Sequence, residues 1–196
     1  MRIIFHIDVN SAYLSWTAVE QLKNGAGVDI RTIPAIIGGD QKSRHGIVLA
    51  KSISAKKIMA FVRGNRVANA FRKCPNLKTY LPDHQMYREY SRKLMEFLRT
   101  YTTHIEQVSV DECYMDFTEI ADRFTSPVEG ASEIKDEVYK RFGFTVNVGI
   151  SSRKVLAKMA SDFEKPIKCI PYSQKKSRRK CGRCRSENYS WQAVPV

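Results

Sequence analysis

Two stretches decide how this chain folds: RIIFHID at residues 2–8 and HIEQVSVDECYMDF at residues 104–117. The first is an apolar run closed by Asp8. The second reads as two strands, 104–110 and 113–118, whose tight connection presents Asp111 and Glu112. Short runs rich in β-branched and aromatic residues are buried strands. A strand with buried sides has little reason to end in carboxylates unless something positive meets them. Acids at strand ends can converge on divalent cations, and two such cations about 4 Å apart drive phosphoryl or nucleotidyl transfer. Hard oxygen ligands suit Mg²⁺. Asp8 reaches Asp111 and Glu112 only if their strands are neighbours in one sheet, and a ferredoxin-like layout makes them so. The plainer alternative makes each acid a cap or turn residue. On the residues alone the two readings stand level.

Outward from these strands, Asn10 is placed to cap a helix over 11–24 that Gly25 closes. TIPAIIGG (32–39) and GIVLAKS (46–52) read as two strands joined by a polar turn from Asp40 to Gly46. Ser54 is placed to cap a short helix, and VANAFRKC predicts another before Pro75. Pro82-Asp83 opens a long helix. Its Met86, Tyr90, Leu94, Phe97 and Tyr101 recur at helical spacing, as a core-facing stripe does. A helix near 131–142 ends at Gly143, FTVNVGI is a strand, and 153–163 is a helix. With 26–76 set aside, the order is strand, helix, helix, strand, strand, helix, strand, helix. That order predicts an α+β fold: an antiparallel-rich, ferredoxin-like layer with helices on one face. Residues 26–76 form a small subdomain inserted after the first helix.

Composition narrows the partners. The chain has 196 residues, 43% of them hydrophobic, enough for one large domain or two small ones. No apolar run reaches the ~18 residues a membrane span needs. MRIIFHID lacks the features of a secretory signal, so a cytoplasmic protein without a membrane partner is expected. The net charge is +13. Residues 167–196 hold eight Lys or Arg against one acid, Glu187, which places +7 there and leaves +6 on residues 1–166. That excess on the body suggests a polyanionic partner, nucleic acid first. Five cysteines in such a chain make no disulfide framework. Cys181 and Cys184 form one CxxC with only Cys169 beside it, short of the four ligands of a structural zinc.

Several of these segments together resemble one family. FHIDVNSAYLSW, GIVLAKS-x-x-AKK, AFRKCPNL, MYREYSRKL, IEQVSVDECYMDF and TVNVGISSRKVLAKMASDFEKP are similar to the Y-family translesion DNA polymerases, in the UmuC-like branch. The likeness runs from residue 2 to residue 166. It implies a palm (1–25 and 77–166) with inserted fingers (26–76), acting in DNA repair and the SOS response. Asp8, Asp111 and Glu112 would hold two Mg²⁺ ions, with the Val9 carbonyl as a further ligand. Tyr13 matches the steric gate that excludes a ribose 2′-hydroxyl. Lys56 and Lys158 match the cations that grip the incoming triphosphate. Primer-template DNA and dNTP are the implied partners, with a sliding clamp for full-length relatives but not for this chain. Ser11 and Ala12 stand where many members have an aromatic pair, Ile53 replaces a frequent Tyr, and Lys56 a frequent Arg. Small residues and a Lys at these places fit the UmuC-like branch.

Beyond Pro166 the likeness stops, where the family continues into a helical thumb and a DNA-gripping little finger. IKCIPYSQKKSRRKCGRCRSENYSWQAVPV clusters its bases and shows no apolar period, which predicts a disordered basic tail over 167–196. The expectation that the resemblance raises is a one-base deletion after the codon for Pro166. With one base restored, IKCIPYS can be read as DKVHTLF, which the family has after EKP. A second frame change over 58–66, IMAFVRGNR, can yield HGIRTGKP, like the family's fingers turn. The expectation is a catalytic palm and fingers with little or no polymerase activity by itself. One alternative is a non-catalytic truncated fragment that at most binds nucleic acid or a protein partner. Another is a different ferredoxin-like nucleotidyl enzyme, such as a cyclase, which leaves AFRKCPNL and LAKMASDFEKP unexplained.

Overall fold

The structure, a computed structural model, describes residues 1–39, 47–58 and 67–162. The polar turn expected over 40–46, all but the first residue of the frame change read at 58–66, and the basic tail with its CxxC lie outside the described residues. In chain order the elements are β1 (Ile4–Val9), α1 (Ala12–Lys23), β2 (Ala35–Gly38), β3 (Val48–Lys51), α2 (Ile53–Ile58), α3 (Val67–Lys73), β4 (Lys78–Tyr80), α4 (His84–Leu98), β5 (Ile105–Gln107), β6 (Glu112–Asp116), a 3-10 helix (Thr118–Arg123), α5 (Pro127–Phe142), β7 (Val146–Ser151) and α6 (Lys154–Asp162). They fall into two compact units, Met1–Asn10 with Lys93–Val196, and Ser11–Arg92.

The first unit is built on a four-stranded sheet of order β5-β6-β1-β7. Every pairing in it is antiparallel. This is the ferredoxin-like order, with β1 between the β5–β6 hairpin and β7. Side chains alternate along β1, so Phe5, Ile7 and Val9 face one side while His6 and Asp8 face the other. On the Phe5 side the Phe5 ring stacks on Phe117 at 4.1 Å. Phe117 lies under Gly130 of α5, where a Cβ would come within 2.3 Å of its ring. Ile134 and Val138 of α5, with Phe144, Val146 and Val148, complete this core.

α5 starts one turn before the expected 131. Ser126 caps it by accepting the Glu129 N–H, and Pro127 takes the first helical position. Gly143, at φ 75°, ends it as expected. α6 lies on the opposite face of the sheet. A Cβ at Gly149 of β7 would stand 2.0 Å from the Ala157 carbonyl oxygen. Helices therefore cover both faces, where the sequence order suggested one. The missing side chain at Gly149 leaves a flat place on which the α6 backbone rests directly.

The second unit holds a three-stranded sheet of order β3-β2-β4. β2 is antiparallel to β3 and parallel to β4. It is buried on both faces. Ile36 joins Val48, Ala55, Val67 and Leu77. Ala35 and Ile37 join Leu14 and Ala18 of α1 with Ile30. β4, with the sequence KTY, was not anticipated. Its residues are too few and too polar to show an alternation. α2 is capped by Ser52, whose Oγ accepts the N–H groups of Ala55 and Ala35 at 3.1 Å each. Ser54, the expected cap, donates instead to the Thr32 carbonyl. Asp83 caps α4 as expected, accepting the Met86 N–H at 2.9 Å. Tyr90, Leu94 and Phe97 of the α4 stripe are buried.

Candidate active site

The strand register decides which acids meet. Asp8 lies directly opposite Glu112 on β6 and opposite Asn147 on β7. Directly opposed residues project from the same face with Cβ atoms about 4.5–5.5 Å apart. Asp8, Glu112 and Asn147 thus form one row across the sheet, on the α6 side. His6, Tyr114 and Gly149 form the next row. Asp111 sits just before β6, and its carbonyl accepts the Val9 N–H at 2.9 Å. Its carboxylate accepts from Ser109 Oγ at 2.6 Å. The connection differs from a tight turn presenting both acids. Val108 N and Ser109 N both donate to the Glu112 carbonyl, at 3.0 and 3.2 Å, and Glu112 is already the first residue of β6.

Asn10 was expected to cap α1. Its amide instead donates to Thr145 Oγ1 at 3.0 Å and to Asn147 Oδ1 at 3.3 Å, tying the end of β1 to β7. The chain turns at Ser11, whose φ of 48° is left-handed and uncommon for a residue other than glycine.

Glu112 is gripped by α6. Lys158 Nζ donates to its Oε1 at 2.9 Å and to its Oε2 at 2.8 Å. His6 Nε2 lies 3.2 Å from the same Oε2, and His6 Nδ1 lies 2.7 Å from Ser161 Oγ. The Lys158 hydrogen bonds hold the Glu112 carboxyl below the usual range, against the effect of its burial. The same bond raises the Lys158 ammonium. His6 is 1% exposed. Burial lowers its pKa, outweighing the pull of the Glu112 and Asp8 carboxylates.

Among the described residues, no three His, Cys, Asp or Glu side chains are grouped closely enough to hold a metal ion. The donors nonetheless have the right chemistry for a hard divalent cation. All are oxygens, Asp8 and Glu112 share one row, and Glu112 already receives a cationic ammonium on both oxygens. A metal ion at Glu112 would take the place of that ammonium.

One unit therefore brings together Asp8, Val9, Asp111, Glu112 and Lys158. Tyr13 and Lys56 belong to the other. Tyr13 is half-buried, stacked on Tyr87 at 4.7 Å and edge-on to Trp16 and His84 at 6.4 Å. Lys56 is exposed on α2. Sequence reasoning missed His6, Asn147 and Ser161. The available signal was a histidine inside an apolar strand, two residues before Asp8 and so on its face.

Fold and site together define an α+β protein of the ferredoxin-like palm kind, with acids from two neighbouring strands on one face. Residues 7–162 match the model of the impB/mucB/samB family, and the chain belongs to that family. It is similar to DNA polymerase IV of Clostridium acetobutylicum, 53% identical over 167 residues, which are 85% of this chain and 42% of that protein. It is 39% identical over 170 residues to DNA polymerase IV 1 of Bacillus subtilis, covering 85% of this chain and 38% of that one. Among solved structures it resembles a chimeric Y-family DNA polymerase with a TM-score of 0.72 at 25% identity, over 84% of this chain and 46% of the other. The fold also matches an insertion ternary complex of Dbh DNA polymerase, with a TM-score of 0.71 at 24% identity over the same shares. The chain spans about four-tenths of the length of these curated relatives.

Proposed function

We propose that this chain is the palm and fingers of a DNA-directed DNA polymerase that copies past damaged template, adding dNMP from a dNTP to a primer 3′-hydroxyl. The observation that carries this reading is the register of Asp8 opposite Glu112, with Asp111 joined to Val9 through the backbone. Membership of a family whose curated relatives are named DNA polymerase IV supports the reaction class. The palm is assigned to 1–25 and 77–166 and the fingers to 26–76. The basic excess on residues 1–166 supports primer-template DNA as partner.

Asp8, Asp111, Glu112 and the Val9 carbonyl would hold two Mg²⁺ ions. Bound there, the ions supply the charge that acidifies the primer hydroxyl and steadies the leaving pyrophosphate. The protein's own groups bind and orient the nucleotide. Lys158, an ammonium at neutral pH like any lysine and held beside Glu112, is the cation placed to grip the triphosphate. Lys56 adds a second point charge without the bidentate fork of an arginine. The Tyr13 ring, held against Tyr87, is the surface that excludes a 2′-hydroxyl.

Isothermal titration of the purified chain with dNTP tests this. Binding should require Mg²⁺ and be lost in Asp111→Ala. Salt-sensitive DNA binding with dNTP affinity indifferent to Mg²⁺ would overturn the reading in favour of a non-catalytic nucleic-acid-binding fragment.

A further inference from the structure

Glu112 is held by two groups of opposite character. Lys158 reaches it on a flexible stem and is 44% exposed, whereas the His6 side chain is 2% exposed. The His6 ring cannot swing away. Its Nδ1 is 2.7 Å from Ser161 Oγ, and its face lies against Tyr114 at 4.9 Å. Ser161 is itself buried, and with its hydroxyl hydrogen on Nδ1 the neutral His6 ring carries its own hydrogen on Nε2, facing Glu112 Oε2. The buried Asn147 amide donates to the Ser161 carbonyl at 3.4 Å. Buried polar groups, His6 and Ser161 beside the Asp8–Glu112 row and Asn147 at its end, therefore back the site. A buried polar group is retained at a cost unless it is bonded, and these are bonded to one another and to Glu112.

We propose that His6 is the positioning residue for Glu112: anchored by Ser161, its Nε2 keeps the carboxylate in the row with Asp8 when Lys158 leaves. This rests on the reading of Asp8 and Glu112 as cation ligands. The Lys158 ammonium has three hydrogens and commits two of them to Glu112, so gripping a triphosphate with more than one draws it off the carboxylate. Once it leaves, His6 is, among the described residues, the remaining hydrogen-bond partner of the Glu112 carboxylate. Partners that orient a metal ligand from behind typically change metal affinity 10–100-fold when removed.

Mn²⁺ binding to the purified chain, followed by electron paramagnetic resonance, tests the proposal without requiring polymerase activity. Wild type should bind Mn²⁺, and Asp8→Ala should not. In His6→Gln the amide nitrogen reaches roughly where Nε2 stood, so affinity should stay within about twofold of wild type. In His6→Asn the amide reaches only towards Ser161, so affinity should fall roughly tenfold. Melting curves establish that each variant is folded. Equal affinity of wild type and His6→Asn would overturn the positioning role. So would an equal loss in His6→Gln and His6→Asn. If the His6 variants do not fold, Ser161→Ala releases the ring anchor and should weaken Mn²⁺ several-fold, and unchanged affinity there overturns the role. Absence of Asp8-dependent Mn²⁺ binding in wild type would instead overturn both this inference and the polymerase reading beneath it.

Discussion

Gly149→Ala tests whether the seat of α6 on β7 governs both stability and the site. The added Cβ would stand 2.0 Å from the Ala157 carbonyl oxygen, 2.4 Å from Ser161 N and 3.1 Å from the Ala157 carbonyl carbon. Favourable contact with a carbon atom begins near ~3.5 Å, so α6 must lift by more than about 1 Å. All three atoms are helix backbone, so no change of rotamer relieves them. β7 is buried at every residue and paired to β1, so the strand has little room to yield. Overpacking costs about 1–3 kcal/mol, and backbone against backbone belongs at the upper end, ~3 kcal/mol. For a chain of this size each kcal/mol lowers Tm by roughly 2–4 °C, so a fall of about 6–12 °C is expected. The same lift moves Lys158 and Ser161, stretching the 2.8 Å bond to Glu112 and the 2.7 Å contact with His6. Gly130→Ala is the comparison for the site: it overpacks the other face of the sheet, against the buried Phe117 ring, and leaves α6 in place. Urea unfolding measures both, and Mg²⁺-dependent dNTP titration reports the site. A Gly149→Ala chain within about 0.5 kcal/mol of wild type, or one that binds dNTP as wild type does, would refute the reasoning.

Two further predictions concern titrating groups. Cys113 is fully buried behind Glu112, and burial pushes its thiol up to about 12. In the folded chain at pH 8 its peptide should resist iodoacetamide and should label readily in urea, as read by mass spectrometry. Equal labelling in both states contradicts the burial. Asp29 is held below the usual carboxylate range by hydrogen bonds from Arg31. Its stabilising contribution is therefore present above the unfolded value of ~3.9 and lost as pH falls through the lower folded value. Asp29→Asn should cost at most ~1 kcal/mol at neutral pH and progressively less as pH falls below the unfolded value of ~3.9, and urea curves showing a cost that does not shrink towards acid would contradict this.

Much of the fold was legible because its signals are local. The apolar runs of β1 and β7 and the stripe of α4 carry their own periods. Gly25 and Gly143 ended helices because their φ angles, 85° and 75°, are ones that only glycine takes without strain. The acids that matter could be named for the same reason, as carboxylates at the ends of buried strands. Other features had no local sign. Asn10 and Ser11 are both acceptable caps for α1, and the choice turns on Thr145 and Asn147, far away in the chain. Ser52 and Ser54 compete in the same way, and the buried Ala35 N–H selects Ser52. β4 exists because β2 offers it an edge.

By itself the sequence determined most of the elements, the family they belong to and the acids at stake, since those follow from side-chain period and residue type. Tertiary structure alone decided that Asp8 faces Glu112, that α6 lies on their side of the sheet, and that Lys158 and His6 divide the grip on Glu112. The place of α6 is set by the absence of one side chain at Gly149, and the register by contacts between residues more than a hundred positions apart. No local window of sequence contains both partners of such a contact.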